Sequence, residues 1–128
     1  MDETTLAKLD ELVEGFASQQ IAQDECVSRG DSAAGNRHAA KLIECFDELA
    51  VFGDLGRDAL SRLLEHENPS VRCTTAAFLL RYKHEDSMSV LEELAARPEL
   101  GMVALGAKCS IENWINGEWA LDPEDDAE

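Results

Sequence analysis

The chain has 128 residues, of which 27 are acidic and 11 are basic, so its formal net charge at pH 7 is −16. This length suits one domain, and a hydrophobic fraction of 45% is enough for one apolar core. The charge argues against nucleic acid and anionic membranes as partners, because both are bound through Lys and Arg. The first residues, MDETTLAKLDEL, lack the basic and apolar regions of a signal peptide. No apolar run approaches the roughly 18 residues that span a membrane, so we expect a cytoplasmic protein.

The four cysteines give no sign of a disulfide framework or a zinc site. None belongs to a Cys-x-x-Cys pair, and each has apolar or small neighbours. In a chain without a signal peptide, this pattern is typical of reduced, half-buried thiols. The residues are Cys26, Cys45, Cys73 and Cys109.

Helical periodicity dominates the chain and predicts an all-α fold. Val, Ile and Thr are scarce, and no stretch alternates apolar and polar residues as a strand would. The first predicted helix runs from Thr4 to about Cys26, with Thr4 or Thr5 as its N-cap. Its apolar residues recur at spacings of three and four and are followed by Ile21: they are Leu6, Leu9, Val13 and Phe16.

A second helix is predicted after a break over residues 27–36, where Asp31 or Ser32 can cap its start. It ends near the sequence FGDLG (52–56), which we interpret as a turn between helices and not as a phosphate-binding loop. A short helix from Leu55 to Glu65 follows. The broad apolar face of the second helix comprises Ala39, Leu42, Ile43, Phe46, Leu49 and Ala50.

Asn68 and Pro69 mark the start of a fourth helix, which is predicted to end near Tyr82. Asn68 is a good N-cap, and Pro69 stands at the first helical position, where its missing N–H costs nothing. Residues 84–86 then separate this helix from a fifth one that runs through Arg97. The buried residues of the fourth helix are predicted to be Val71, Thr75, Phe78 and Leu79.

Pro98 is predicted to start the last helix, which ends at the Asn116-Gly117 pair. Trp114 is expected to seal this end of the core, whereas Trp119 lies beyond the break. The inward face of this helix is predicted to comprise Met102, Val103, Leu105, Ala107, Cys109 and Trp114.

The charge divides between a body and a tail. Residues 118–128 hold six acids and no base and show no apolar period, so we expect a disordered acidic tail. Residues 1–117, predicted to form one α-helical, repeat-like domain, carry 21 acidic and 11 basic side chains, a net charge of −10.

The segment 59–97 resembles a HEAT/armadillo-type helical repeat. Its turn, HENPSVR, matches the Pro-x-Val-Arg turn of such repeats at Pro69, Ser70, Val71 and Arg72, and Ala76, Ala77 and Leu80 match small and apolar helix positions. The resemblance implies about six helices in antiparallel pairs, arranged as a short right-handed superhelix. It also implies that Arg72 reaches acids or carbonyls of a neighbouring repeat. The whole layout also resembles a small bacterial family of helical proteins with no assigned function.

The residues that carry catalysis or bind metals do not form a recognisable site. His66 and His84 fall in turns and His38 lies early in a helix, and HExxH, ExxH and close Cys/His clusters are absent. Carboxylate pairs are frequent, as expected for a chain with so many acids. We therefore expect no catalytic residue, no metal site and no cofactor.

The favoured hypothesis is a non-enzymatic interaction module whose acidic face binds a basic protein. Helical repeats bind partners along their second helices, so we predict Glu44, Asp47 and Glu48 as the partner-binding residues. One form of this hypothesis is an immunity or inhibitor protein of a bacterial toxin, such as a nuclease whose phosphate site an acidic face would mimic.

Two alternatives from other classes stay open. The first is a small-molecule or metal-dependent enzyme that uses Cys, His and acidic residues, which requires a closed pocket with converging polar groups. The second is a purely structural subunit that joins a larger assembly through an apolar end, its acidity serving solubility alone.

Overall fold

A computed structural model of the chain describes residues 2–117, and all its regular elements are helical. Short 3-10 segments at Ser61–Glu65 and Pro98–Leu100 precede α4 and α6. The all-α prediction is therefore confirmed. The six α-helices of residues 2–117 are α1 (Glu3–Ser28), α2 (Ser32–Val51), α3 (Asp54–Leu60), α4 (Pro69–Leu79), α5 (His84–Ala95) and α6 (Met102–Ile115).

The helices belong to two compact units. Unit 1 extends to Leu63 and holds α1, α2 and α3, whereas unit 2 begins at Leu64 and holds α4, α5 and α6. The single domain over 1–117 and its right-handed superhelical arrangement stay predictions. The acidic tail over 118–128, with Trp119, lies outside the described residues.

Unit 1 is built on a hairpin of α1 and α2 with α3 packed against both. Asp31 caps α2 as predicted, since its side chain accepts a hydrogen bond from the Ala34 N–H at 3.0 Å. The cap of α1 differs from the prediction: Asp2 accepts from the Thr5 N–H at 2.7 Å, so the helix begins one residue before Thr4. The core of α1 and α2 comprises Leu9, Leu12, Val13, Phe16, Ala17, Cys26, Ala34, Leu42, Phe46 and Leu49.

The buried face of α2 is narrower than predicted. Ile43, expected to be buried, leaves 48% of its surface exposed. At 100° per residue Ile43 lies to one side of the stripe formed by Leu42, Phe46 and Leu49, and that stripe is buried.

Gly53 and Gly56 make the turn between α2 and α3 for two different reasons. Gly53 has φ +61° and ψ −131°, a backbone conformation that only glycine adopts without strain. At Gly56 an added Cβ would lie 1.8 Å from the Leu49 carbonyl oxygen, so only a hydrogen side chain lets α3 pack here. Both glycines of this segment thus serve the turn between helices.

Unit 2 opens with the predicted cap. The Asn68 side chain accepts hydrogen bonds from the N–H groups of Ser70 and Val71, and Pro69 is the first residue of α4. Arg72 acts more locally than the repeat resemblance implies. Its Nη1 donates to the carbonyl oxygens of His66 at 2.7 Å and Glu67 at 3.3 Å, so it fastens the preceding turn to α4.

The predicted start and inward face of α6 are partly wrong. Pro98 begins a 3-10 turn, and α6 itself starts at Met102 after Gly101, whose φ is +60°. Met102, Leu105 and Cys109, expected to be buried, are exposed. The buried side of α6 instead consists of small residues: Ala104, Ala107 and Ser110.

Within residues 2–117, no helix combines the length and the apolar character needed to cross a membrane.

Candidate functional site

The predicted partner-binding residues form an acidic surface on the outer side of α2, which we define as Glu44, Asp47 and Glu48. All three side chains are exposed. They alternate with the buried residues Phe46 and Leu49, so the core stripe on one side of the helix forces the carboxylates to the other. The helix places them within about one turn of each other.

Lys8 of α1 partly neutralises this surface. Its Nζ lies 3.6 Å from Glu48 Oε1 and 3.2 Å from Glu11 Oε2, and the two carboxylates raise the pKa of Lys8, Glu11 most strongly. Among residues 2–117, no basic side chain lies within ion-pair distance of Glu44 or Asp47. The acidic surface therefore offers two carboxylates that a partner's cations can engage without displacing another pair.

Cys45 lies beneath the acidic surface, where α1 and α2 approach closely. A Cβ added at Gly15 would lie 3.1 Å from Cys45 Sγ, so the small residue on α1 makes room for the thiol. Burial, and then the charges of Glu48 and Glu44, raise the pKa of the Cys45 thiol. A thiol that resists ionisation is a poor nucleophile, and its position is explained by packing.

The other three cysteines differ in burial and in their neighbours. All four are free, and Cys26 is buried, with Arg29 Nη2 donating to its Sγ at 3.3 Å. Burial raises the pKa of Cys73 to about 11, and its Sγ lies 3.8 Å from the Val103 carbonyl oxygen. The prediction of half-buried thiols holds for Cys45 and Cys73, while Cys109 is exposed.

The buried thiol of Cys73 makes the stability of the fold sensitive to pH in the alkaline range. The folded pKa of about 11 lies above the ordinary value of 9.0, so between these values the unfolded chain loses the thiol proton while the folded chain keeps it. The free energy of unfolding is therefore expected to fall as pH rises from 9.0 to about 11, with the contribution of Cys73 constant below that window.

Urea unfolding at several pH values, compared between the wild type and Cys73→Ala, measures this slope. We expect the fall to be shallower in Cys73→Ala, because that variant lacks the titrating group. Identical slopes in the two proteins would contradict the assignment of the effect to Cys73.

Each histidine has a structural partner. His38 Nδ1 lies 2.6 Å from Gln19 Oε1 and links α2 to α1, and His66 Nδ1 accepts from the Asn68 N–H at 3.0 Å. The His84 ring packs on Trp114 with 5.2 Å between centroids, which joins the start of α5 to the end of α6. Over residues 2–117, no three His, Cys, Asp or Glu side chains are grouped to hold a metal ion.

A second feature of unit 1, absent from the sequence predictions, is an open groove between α1 and α3, which we name the α1–α3 groove. Its volume is about 290 Å³, and it opens to solvent. Leu6 and Leu55 are exposed by 46% and 44%, so two large apolar side chains of unit 1 meet solvent at the groove. The groove is lined by Leu6, Leu9, Asp10, Leu55, Asp58, Ala59 and Arg62.

Comparison with known proteins places the chain in a family without assigning an activity. It is similar to protein RPA1889 from Rhodopseudomonas palustris CGA009, known from a crystal structure, with a TM-score of 0.81 and 24% sequence identity. The match covers 91% of this chain and 93% of that chain and shows a shared fold. No match is found among curated proteins.

Residues 10–113 match the family described as "Domain of unknown function (DUF2019)". The predicted resemblance to a small helical family of unknown function is thereby confirmed, whereas the HEAT/armadillo repeat stays a prediction. Because the match spans most of the chain, this protein belongs to the DUF2019 family.

Proposed function

We propose that this protein is a non-enzymatic interaction module that binds a basic protein through the acidic surface of α2. The observation that carries the proposal is the pair of exposed carboxylates, Glu44 and Asp47, which have no basic partner within residues 2–117. A cation on an approaching protein gains their attraction without first breaking an existing ion pair.

The distribution of charge along the chain supports this proposal. Residues 1–63 carry 13 acidic and 6 basic side chains, a net charge of −7, whereas residues 64–117 carry 8 and 5, a net charge of −3. Of residues 1–117, the part that also holds the acidic surface is therefore the more acidic. Such a field attracts basic proteins over roughly a Debye length, about 8 Å at physiological ionic strength.

The surroundings of the cysteines and histidines, which an enzyme would use as nucleophiles or bases, support the non-enzymatic part of the proposal. Burial raises the pKa of Cys73 and contributes most to the raised pKa of Cys45, which opposes formation of a thiolate nucleophile. His38 and His66 are engaged in hydrogen bonds that hold helices and turns. An inhibitor of a basic toxin is one activity that this combination of features suits.

The proposal predicts that Glu44→Gln with Asp47→Asn weakens binding of a basic partner. Loss of two exposed charges should raise Kd about 3- to 10-fold at low salt, mainly through slower association, and flatten the salt dependence. Association is measured with purified basic proteins, including the products of genes adjacent to this one, at two salt concentrations.

A matched control removes the same charge from unit 2. Glu92→Gln with Glu112→Gln also changes the net charge by two at exposed helix positions. We expect this control to bind nearly as the wild type does. Equal weakening by both double variants would show that only net charge matters, and no binding of any basic protein at low salt would refute the proposal.

A further inference from the structure

We propose that the α1–α3 groove binds an amphipathic helix of a partner protein, with leucine-sized side chains on its apolar face and Lys or Arg beside them. The inference rests on the proposed function, since it specifies which part of a basic partner unit 1 recognises. It adds an apolar anchor to a contact that would otherwise be made by charge alone.

The apolar lining of the α1–α3 groove is partly buried and partly exposed to solvent. Leu9 and Ala59 are buried, with 3% and 8% of their surfaces exposed, whereas Leu6 and Leu55 remain about half exposed. The two exposed leucines come from different helices and line the same groove. A partner's aliphatic side chains would remove both from water at once, which is how helices bind in grooves between helices.

The charges beside the groove select a basic partner. Among residues 2–117, Arg62 is the only base in the lining, and its Nη2 lies 2.9 Å from Asp10 Oδ1, so that pair is already formed. Asp58 also lines the groove, so the three charged side chains of the described lining sum to −1, and residues 1–63 as a whole carry −7. The surroundings are therefore net negative, and a helix with Lys or Arg flanking its leucines complements them.

The dimensions favour side chains of a protein over a small molecule. A volume of about 290 Å³ is just below the range of small-molecule pockets, which are typically about 300–1,000 Å³ and enclose most of their ligand. This groove opens to solvent, and four of its seven described lining residues are apolar. It suits a row of aliphatic side chains presented at helical spacing.

The experiment compares two peptides of identical composition. One is a Leu/Lys peptide whose leucines form a single helical face, and in its isomer the leucines are spread around the helix. The full chain is expected to bind the amphipathic peptide about tenfold more tightly than the isomer, because only one peptide can place leucines in the groove. Affinities are measured by fluorescence anisotropy with labelled peptides.

Leu6→Ser with Leu55→Ser should abolish the preference for the amphipathic peptide. Both leucines are about half exposed, so the variant should stay folded, which circular dichroism checks. Met102→Ser with Leu105→Ser is the matched control, because it removes two exposed apolar residues from α6 in unit 2. This control should keep the preference.

The outcomes separate this inference from the proposed function. Equal affinity for the two peptides, no binding of the amphipathic peptide, or a preference that survives in Leu6→Ser with Leu55→Ser would overturn the groove proposal. Glu44→Gln with Asp47→Asn should weaken both peptides alike and leave the preference intact. If that variant weakens neither peptide while the preference depends on the leucines, the acidic surface fails and the groove stands.

Discussion

Replacing Gly56 with alanine is expected to lower the free energy of unfolding by about 3 kcal/mol or more, above the usual cost of overpacking. The new Cβ would lie 1.8 Å from the Leu49 carbonyl oxygen and 2.7 Å from its carbonyl carbon. These atoms belong to the backbone of α2, so no side-chain rotation relieves the clash. Either α3 moves away from α2 or the end of α2 unwinds. Denaturant unfolding followed by circular dichroism measures the change.

Gly106→Ala is the matched control for Gly56→Ala. Gly106 lies inside α6, and a Cβ added there would have nothing within 4 Å. Alanine favours helix by roughly 0.5–1 kcal/mol over glycine, so this variant should be slightly more stable than the wild type. Two glycine-to-alanine changes in one chain are therefore expected to have opposite signs. A Gly56→Ala protein as stable as the wild type would refute the described packing of α3 on α2.

Replacing Leu91 with alanine is expected to cost about 2–5 kcal/mol of stability, the range for a buried leucine that leaves a cavity. Leu91 is fully buried on α5, the helix of unit 2 that packs against both α4 and α6. The same unfolding experiment measures the loss. Two probes are useful: circular dichroism, which follows helix content, and tryptophan fluorescence, to which Trp114 and Trp119 both contribute.

Met102→Ala is the control in unit 2. Sequence periodicity predicts that Met102 is buried, but 79% of its surface is exposed. An exposed site of this kind should change stability by no more than about 0.5 kcal/mol. A loss as large as that of Leu91→Ala would show that the periodicity was right about this face of α6.

The helices and two of their N-caps, Asp31 and Asn68, can be predicted from local sequence. The spacing of apolar residues places the ends of α1 and α2 to within a few residues. Each helix has one long buried stripe, and its apolar residues recur at the spacing of a single helix face. Asn68 and Pro69 fix the start of α4 because both act on backbone groups of the same turn. These signals act between residues that are close in sequence, so the packing of the helices does not alter them.

The face of α6 could not be predicted in the same way. The apolar residues of α6 are spread around the helix, and Met102 and Leu105 are large enough to suggest a core position. Its buried side uses Ala104 and Ala107, which lets the neighbouring helices of unit 2 come close. Periodicity weighted by hydrophobicity favours large side chains, so it misses an interface built on small ones.

The acidic surface and the α1–α3 groove also differ in how far they can be predicted from the sequence. Exposure of Glu44 and Asp47 follows from the position of the α2 core stripe, so the acidic surface is accessible to sequence reasoning. The α1–α3 groove is lined by residues that are distant in sequence, such as Leu6 and Leu55. Its shape depends on how closely α3 packs against α2 at Gly56. Such a groove becomes visible only when the packing of the helices is known.

The outward position of Cys109 on α6 has a practical consequence. It is the one exposed thiol of the four, whereas Cys26 is buried and the other two are partly covered. A maleimide dye added briefly near neutral pH would label the wild-type chain in unit 2, leaving both the acidic surface and the α1–α3 groove of unit 1 unmodified. The chain thus carries its own attachment point for single-molecule measurements, and purification needs a reductant to prevent disulfide-linked dimers at this position.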